Sequence, residues 1–268
     1  MATGVALDRE LTNRPLDQPL DEALRLIGQA GLHGLQVRLI GGLAFRARCP
    51  EWSAGAQRPH HDIDLATRSK DRRALGELLE ACGYVGDREY NAVHGDRQLY
   101  FVDPAHARPL DVLVDRMEMS HAFAFADRLE VDPVTLPLAE LLLSKLQVAR
   151  INRKDILDAL ALLSDYPLSY RADRGIDMDR VTRLTSRDWG WWRTTTGNLE
   201  ILARFVRSEL QPGELEFGRP PRFDALEQVR QLRAAVDATP KGLHWRLRAG
   251  IGDRMPWFEE PEEIPHSG

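Results

Sequence analysis

Two short apolar segments of this chain carry aspartates where a buried strand has no use for them. His61-Asp62-Ile63-Asp64-Leu65 alternates acid with aliphatic, and Leu110-Asp111-Val112-Leu113-Val114 sets one acid in an otherwise aliphatic run. Successive strand side chains point to opposite faces, so Asp62 and Asp64 share one face while Ile63 and Leu65 turn to a core. Two carboxylates about 7 Å apart on one strand repel each other, and folding gains nothing from them. A divalent cation removes that penalty. With Asp111 from a second strand, the set becomes three hard oxygen donors suited to Mg2+ or Mn2+.

A glycine pair, Gly41-Gly42, ends the apolar run Leu35–Ile40 ahead of these strands. Glycines at a strand-to-helix junction let the backbone approach a phosphate, with the N–H groups of the next turn aimed at the anion. A glycine pair alone is more often an ordinary loop; its place before the D-x-D strand gives it meaning. The chain carries its own control in Asp177-Met178-Asp179, a second D-x-D with no apolar strand after it, which reads as a helix N-cap. Asp115 has the strand parity of Asp111, but as a strand-end residue before Arg116 it reads as half of a solvated ion pair.

Alternation and 3.6-residue spacing predict a helix over 21–30, a strand over 35–40 and a short helix to Arg48. A strand over 62–66 and a helix over about 70–82 follow, then strands near Tyr84, 98–102 and 109–114. From Leu136 onward the pattern is helical: 136–150, 154–164, 179–186, 196–211 and 222–238, with Asn152 a candidate N-cap. Strands first and helices after predict an α/β (α+β) fold: a mixed-sheet domain over 18–130, then an α-helical domain over 131–250. Residues 1–17 are expected to be mobile and 251–268 to form a Pro- and Glu-rich tail.

The 36 Lys and Arg against 41 Asp and Glu give a net charge of −5, which excludes a generic polyanion binder. No apolar run reaches the length of a membrane span, so no membrane partner is expected. Two cysteines, Cys49 and Cys82, are too few for a disulfide framework and favour a cytoplasmic protein.

Lys145 lies in an apolar helical stripe with Leu138, Leu142 and Ala149, where it either snorkels to water or meets a buried anion. Lys154 and Asp158 have the spacing of a solvated i,i+4 pair. His60 and His61 lack further ligands at zinc spacing and read as shaping the strand entrance. Trp189, Trp191 and Trp192 read as core of the helical part rather than a base-stacking platform. Lys241, His244, Arg246 and Arg248 read as a solvated basic helix face.

Taken together, Ile40-Gly41-Gly42, Asp62-Ile63-Asp64 and Asp111 resemble the nucleotidyltransferase-fold superfamily. Within it the chain looks most like the AbiEii/AbiGii toxin-like group, which includes toxins of the MenT kind. The matching stretches are Arg58-Pro59-His60-His61-Asp62-Ile63-Asp64-Leu65 and, after Lys145, Asn152-Arg153-Lys154-Asp155-Ile156-Leu157-Asp158-Ala159. The likeness spans about 35–165. His60 stands at the usual Thr, Asn152 at the usual Arg, and Ala159 at the usual Leu.

The resemblance implies a minimal nucleotidyltransferase-type sheet and Mg2+- or Mn2+-dependent transfer of NMP from an NTP with release of pyrophosphate. Asp62, Asp64 and Asp111 would be metal ligands, Gly41, Gly42, Arg58 and Lys145 nucleotide contacts, and Lys145 and Asp155 part of the catalytic set. Asp155 would activate the acceptor or orient Lys145. A toxin-like member would modify tRNA and have an antitoxin protein as partner. Aminoglycoside nucleotidyltransferases share the Gly-Gly, Arg and His-Asp-x-Asp-Leu layout, which leaves a small-molecule acceptor open. A non-catalytic nucleotide-binding module is the alternative outside the enzymes.

Overall fold

A computed structural model describes residues 13–51, 60–211 and 218–260. Its first part runs α1 (Pro19–Leu32), β1 (Val37–Leu39), α2 (Gly41–Arg48), β2 (Ile63–Thr67), α3 (Arg72–Ala81) and β3 (Val85–Gly86). It continues through α4 (Arg88–His94), β4 (Gln98–Asp103), β5 (Arg108–Val114), β6 (Arg116–Glu118) and β7 (Ala122–Ala124). Helices α5 (Leu138–Leu146) and α6 (Arg153–Asp165) lead to a two-stranded pair, β8 (Leu168–Ser169) and β9 (Ile176–Asp177). The chain then closes on α7 (Met178–Arg187), α8 (Trp189–Ser208), α9 (Ala225–Ala238) and α10 (Leu243–Ile251).

The main sheet is mixed, in the order β1-β2-β5-β4-β3. β1 is antiparallel to β2, β2 parallel to β5, and β4 antiparallel to both β5 and β3. On β5 the even positions Leu110, Val112 and Val114 are buried and the odd ones half-buried, the alternation expected of a sheet with one face on the core.

Helix positions follow the apolar spacing. α1 buries Ala23, Leu26, Ile27 and Ala30, an i, i+3, i+4, i+7 stripe, and begins with a proline in its first turn. Acids and amides at helix starts satisfy orphan N–H groups: Asp87 caps α4, Asn152 α6, Asp177 α7, Asp188 α8 and Asp224 α9. Asp177 of the control D-x-D is thus a cap, as its setting predicted.

Among the described residues α4, the β6–β7 hairpin, the short β8–β9 pair and α10, which carries His244, Arg246 and Arg248 of the basic stretch, lie outside the sequence expectations. The proposed divide near residue 130 is bridged by backbone. Leu39 N–H donates to Val134 O at 2.8 Å and Leu136 N–H to Leu39 O at 3.0 Å, so 134–136 runs along β1. One apolar cluster also extends from Ala23 in α1 to Val236 in α9. Among the described residues no helix is long and apolar enough to cross a membrane.

Residues 13–17, expected to be mobile, are tied to the fold. Leu16 N–H donates to Glu22 Oε2 at 2.9 Å, and Arg108 Nη2 to Leu16 O at 2.6 Å. Residues 1–12 and 261–268 of the expected terminal segments lie outside the described residues.

Candidate active site

Asp64 and Asp111 are direct partners in the parallel β2–β5 register. Paired residues on adjacent strands point the same way about 5 Å apart, so the two carboxylates share one face beyond the strands' buried aliphatics. Asp62 precedes β2 by one residue and is exposed, while Ile63 and Leu65 are fully buried. Burial first, and then the charges of Asp62 and Asp111, push the Asp64 carboxyl up to about 7, with Lys145 opposing. The whole residue keeps partial exposure, but its carboxyl sits in the crowded part of the site. That is a carboxylate in want of positive charge.

Gly41 explains why the crowding is there. It opens α2 with φ +64, and a Cβ on it would overlap Asp64 Oδ2 and stand 2.7 Å from Asp64 Cγ. Only glycine meets both demands, since a side chain is strained at that φ and has no space. Ile40 N–H donates to Asp64 O at 2.9 Å, fixing the start of α2 against β2. Gly42 follows as the second residue of α2.

Lys145 reaches the same region from α5. Its ammonium lies 2.7 Å from Asp155 Oδ1 and 3.0 Å from Asp158 Oδ2, and 5.0 Å from the centre of the Phe45 ring on α2. Burial would lower its pKa; Asp158 and Asp155 outweigh that and raise it, so the amine stays protonated. Asp155 is itself braced by the α6 cap, where Asn152 Nδ2 donates to Asp155 Oδ2 at 2.8 Å. Asp158, expected as the surface partner of Lys154, is instead buried against Lys145. Its i,i+3 relation to Asp155 was visible in the sequence, and that spacing puts both acids on one helix face.

Sequence reading also passed over Gln98, whose Nε2 donates to Asp111 Oδ1 at 2.5 Å. A polar residue opening the alternating strand Gln98-Leu99-Tyr100-Phe101 was the available signal. Asp115 stands apart from the set: its Oδ1 accepts from Ser69 N–H at 2.9 Å, and Arg116 pairs with Glu118 at 2.7 Å rather than with Asp115. Arg58 lies outside the described residues. His61 is exposed and His60 half-buried at the entrance to β2. Trp189 and Trp191 are buried in the helical part.

The donor chemistry fits a divalent cation, with hard carboxylate oxygens on one sheet face and the ionised form of Asp64 disfavoured by burial and then by its like-charged neighbours. Among the described residues no three His, Cys, Asp or Glu side chains converge into a ready-made cation cage. Asp62, Asp64 and Asp111 are thus gathered on one side of the sheet rather than closed around a point.

No family model matches the sequence, and no curated protein matches it. Among solved structures the chain is similar to antibiotic-resistance factor ANT(2'')-Ia, at 14% identity and TM-score 0.30 over 88% of this chain and 96% of that one. It is similar to JHP933 from Helicobacter pylori at 12% identity and TM-score 0.33, over 95% and 100% of the two chains. Terminal uridylyl transferase 4 from Trypanosoma brucei, solved with bound GTP, matches at 10% identity and TM-score 0.27, over 85% and 67%. Scores this low leave the site's own chemistry to carry any functional reading.

Proposed function

We propose that this chain is a nucleotidyltransferase that moves NMP from an NTP to an acceptor hydroxyl and releases pyrophosphate. The observation that carries the reading is the Gly41–Asp64–Asp111 constellation. A glycine with no room for a side chain stands at a helix start, against a carboxylate that burial, and then its acidic neighbours, make costly to ionise.

Asp62, Asp64 and Asp111 would hold the divalent cation, Mg2+ or Mn2+, which when bound neutralises charge on the phosphate oxygens. The backbone of Gly41 and Gly42 at the α2 N-terminus would receive a phosphate. Lys145, kept protonated and aimed by Asp155 and Asp158, would add positive charge on the triphosphate side. In that arrangement Asp155 orients Lys145. Arg58 would join the nucleotide contacts from the segment before β2.

In the step itself, the acceptor oxygen bonds to the α-phosphorus while the bond from that phosphorus to the β-phosphate oxygen breaks. The electron pair leaves with pyrophosphate, and the acceptor proton passes to Asp111.

The likeness to toxin-like transferases would make the acceptor tRNA, with an antitoxin protein as partner. One set of observations favours a small-molecule acceptor instead. Three of the five cations that would suit RNA, Arg150, Arg153, Lys154, Arg246 and Arg248, have partners within the chain: Arg150 with Glu260 at 2.8 Å, Arg153 over the Phe205 ring at 4.7 Å, and Arg248 over Trp189 at 4.5 Å. The test is labelling from each α-labelled NTP with Mg2+, using tRNA and an aminoglycoside panel as acceptors. Asp62→Ala and Asp64→Ala should each abolish labelling, and retained labelling in both removes the assignment. Metal-dependent NTP binding without turnover would point to a binding module instead.

A further inference from the structure

A cleft of about 560 Å3 opens beside Asp111, lined by Tyr90, Gln98, Leu113, Met119 and Glu259 among others. Its size is that of a small-molecule site. It meets the carboxylate set through one residue. Gln98 and Tyr100 alternate onto the same face of β4, Tyr100 is the register partner of Asp111, and Gln98 that of Leu113. Gln98 therefore lines the cleft and holds Asp111 at once.

From this we infer that the cleft is the acceptor subsite and Gln98 its positioning residue, setting Asp111 against a hydroxyl of an uncharged or cationic small molecule. The inference rests on the nucleotidyltransferase reading above and adds where the acceptor sits, which residue aims Asp111 at it, and which charge it carries.

The charge follows from the lining. Arg97 and Arg116 stand against Glu118, Glu259 and Glu260 in the lining, with Asp111 held behind Gln98. Both arginines already lean on Glu118, at 3.5 and 2.7 Å, and Glu260 is taken by Arg150 from outside the lining. With Arg150 counted these charges balance, so Asp111 behind Gln98 sets the sign: a phosphate backbone entering here would be repelled, whereas a polyol or an amino sugar would not. The amide of Gln98 suits the positioning role because it donates to a carboxylate without adding charge.

Two measurements on the full chain separate this inference from the one beneath it. Calorimetry without nucleotide reads the cleft alone: amino sugars or polyols should bind, and Glu259→Lys should weaken amino-sugar binding at least fivefold. Steady-state transfer with α-labelled NTP reads Gln98. Gln98→Ala and Gln98→Glu should lower kcat about 10- to 100-fold, with KM for NTP within twofold of the parent and an unchanged melting temperature. Binding by none of the probes, or labelling of total tRNA alone, overturns the acceptor class. An unchanged kcat in Gln98→Ala overturns the positioning role. Loss of Mg2+-dependent NTP binding in the parent protein would instead strike the nucleotidyltransferase reading, and the nucleotide-free calorimetry would still decide the cleft.

Discussion

Asp64 concentrates the electrostatics of the molecule in one carboxyl. Its ordinary value is near 3.8, and burial with the charges of Asp62 and Asp111 brings it to about 7 in the fold. An unfolded chain ionises this group near pH 4 and the folded chain near 7, so folding is progressively penalised as pH rises between those values. In a chelator, the melting temperature should therefore fall from pH 4 to pH 7 through this group and level off above. Mg2+ or Mn2+ should remove most of the loss, and Asp64→Asn should flatten the profile, by roughly 1.4 kcal/mol per pKa unit. A melting profile indifferent to cation across that range would count against the carboxylate set as a metal site. At Gly41, alanine meets both a positive φ and the Asp64 carboxylate. Gly41→Ala should cost on the order of 1–2 kcal/mol from backbone strain alone and abolish transfer, read by urea unfolding and labelling in parallel.

At the level of elements, the clamp on residues 13–17 makes a different demand. Buried Asp103 receives Arg108 Nη2 at 2.7 Å and His106 Nδ1 at 2.6 Å, while His106 Nε2 reaches Asp17 at 3.0 Å. Asp103→Ala leaves buried Arg108 without its carboxylate and should cost about 3 kcal/mol in urea unfolding. His106 is raised by Asp103 and then Asp17. Its contribution is full below its unfolded value and lost as pH rises through the raised one, so limited proteolysis near residue 13 should quicken there.

The β strands of the site were legible because acids set into aliphatic runs do nothing for the packing of a buried strand. Asp155 and Lys145 were legible as chemistry but not as a triad with Asp158, because an i,i+4 surface pair and a buried contact share the same sequence spacing. The β6–β7 hairpin was not legible. Its strands Arg116–Glu118 and Ala122–Ala124 each bury one central residue, too short a run for period two to register. The clamp escaped notice for a related reason, since Asp17, Asp103 and Arg108 meet only through tertiary structure.

The whole molecule behaves as a sheet completed from both sides of the expected domain boundary. Residues 134–136 add to β1, Arg128 pairs with Glu140 and Asp177, and Lys145 descends from α5 onto the α2 ring of Phe45. A fragment ending at residue 130 loses all three. It should show no cooperative thermal transition, whereas residues 13–260 should melt in one step by calorimetry. A folded, cooperative fragment would restore the independent-domain view.

The same placement of Lys145 has a practical side. The chain has four lysines: Lys70 and Lys154 are exposed, Lys241 is half-buried, and Lys145 keeps only 12% of its side chain accessible while holding its proton. Acylating reagents attack the free base of an open amine, so coupling to an activated ester resin would anchor the protein by its surface and spare the buried Lys145.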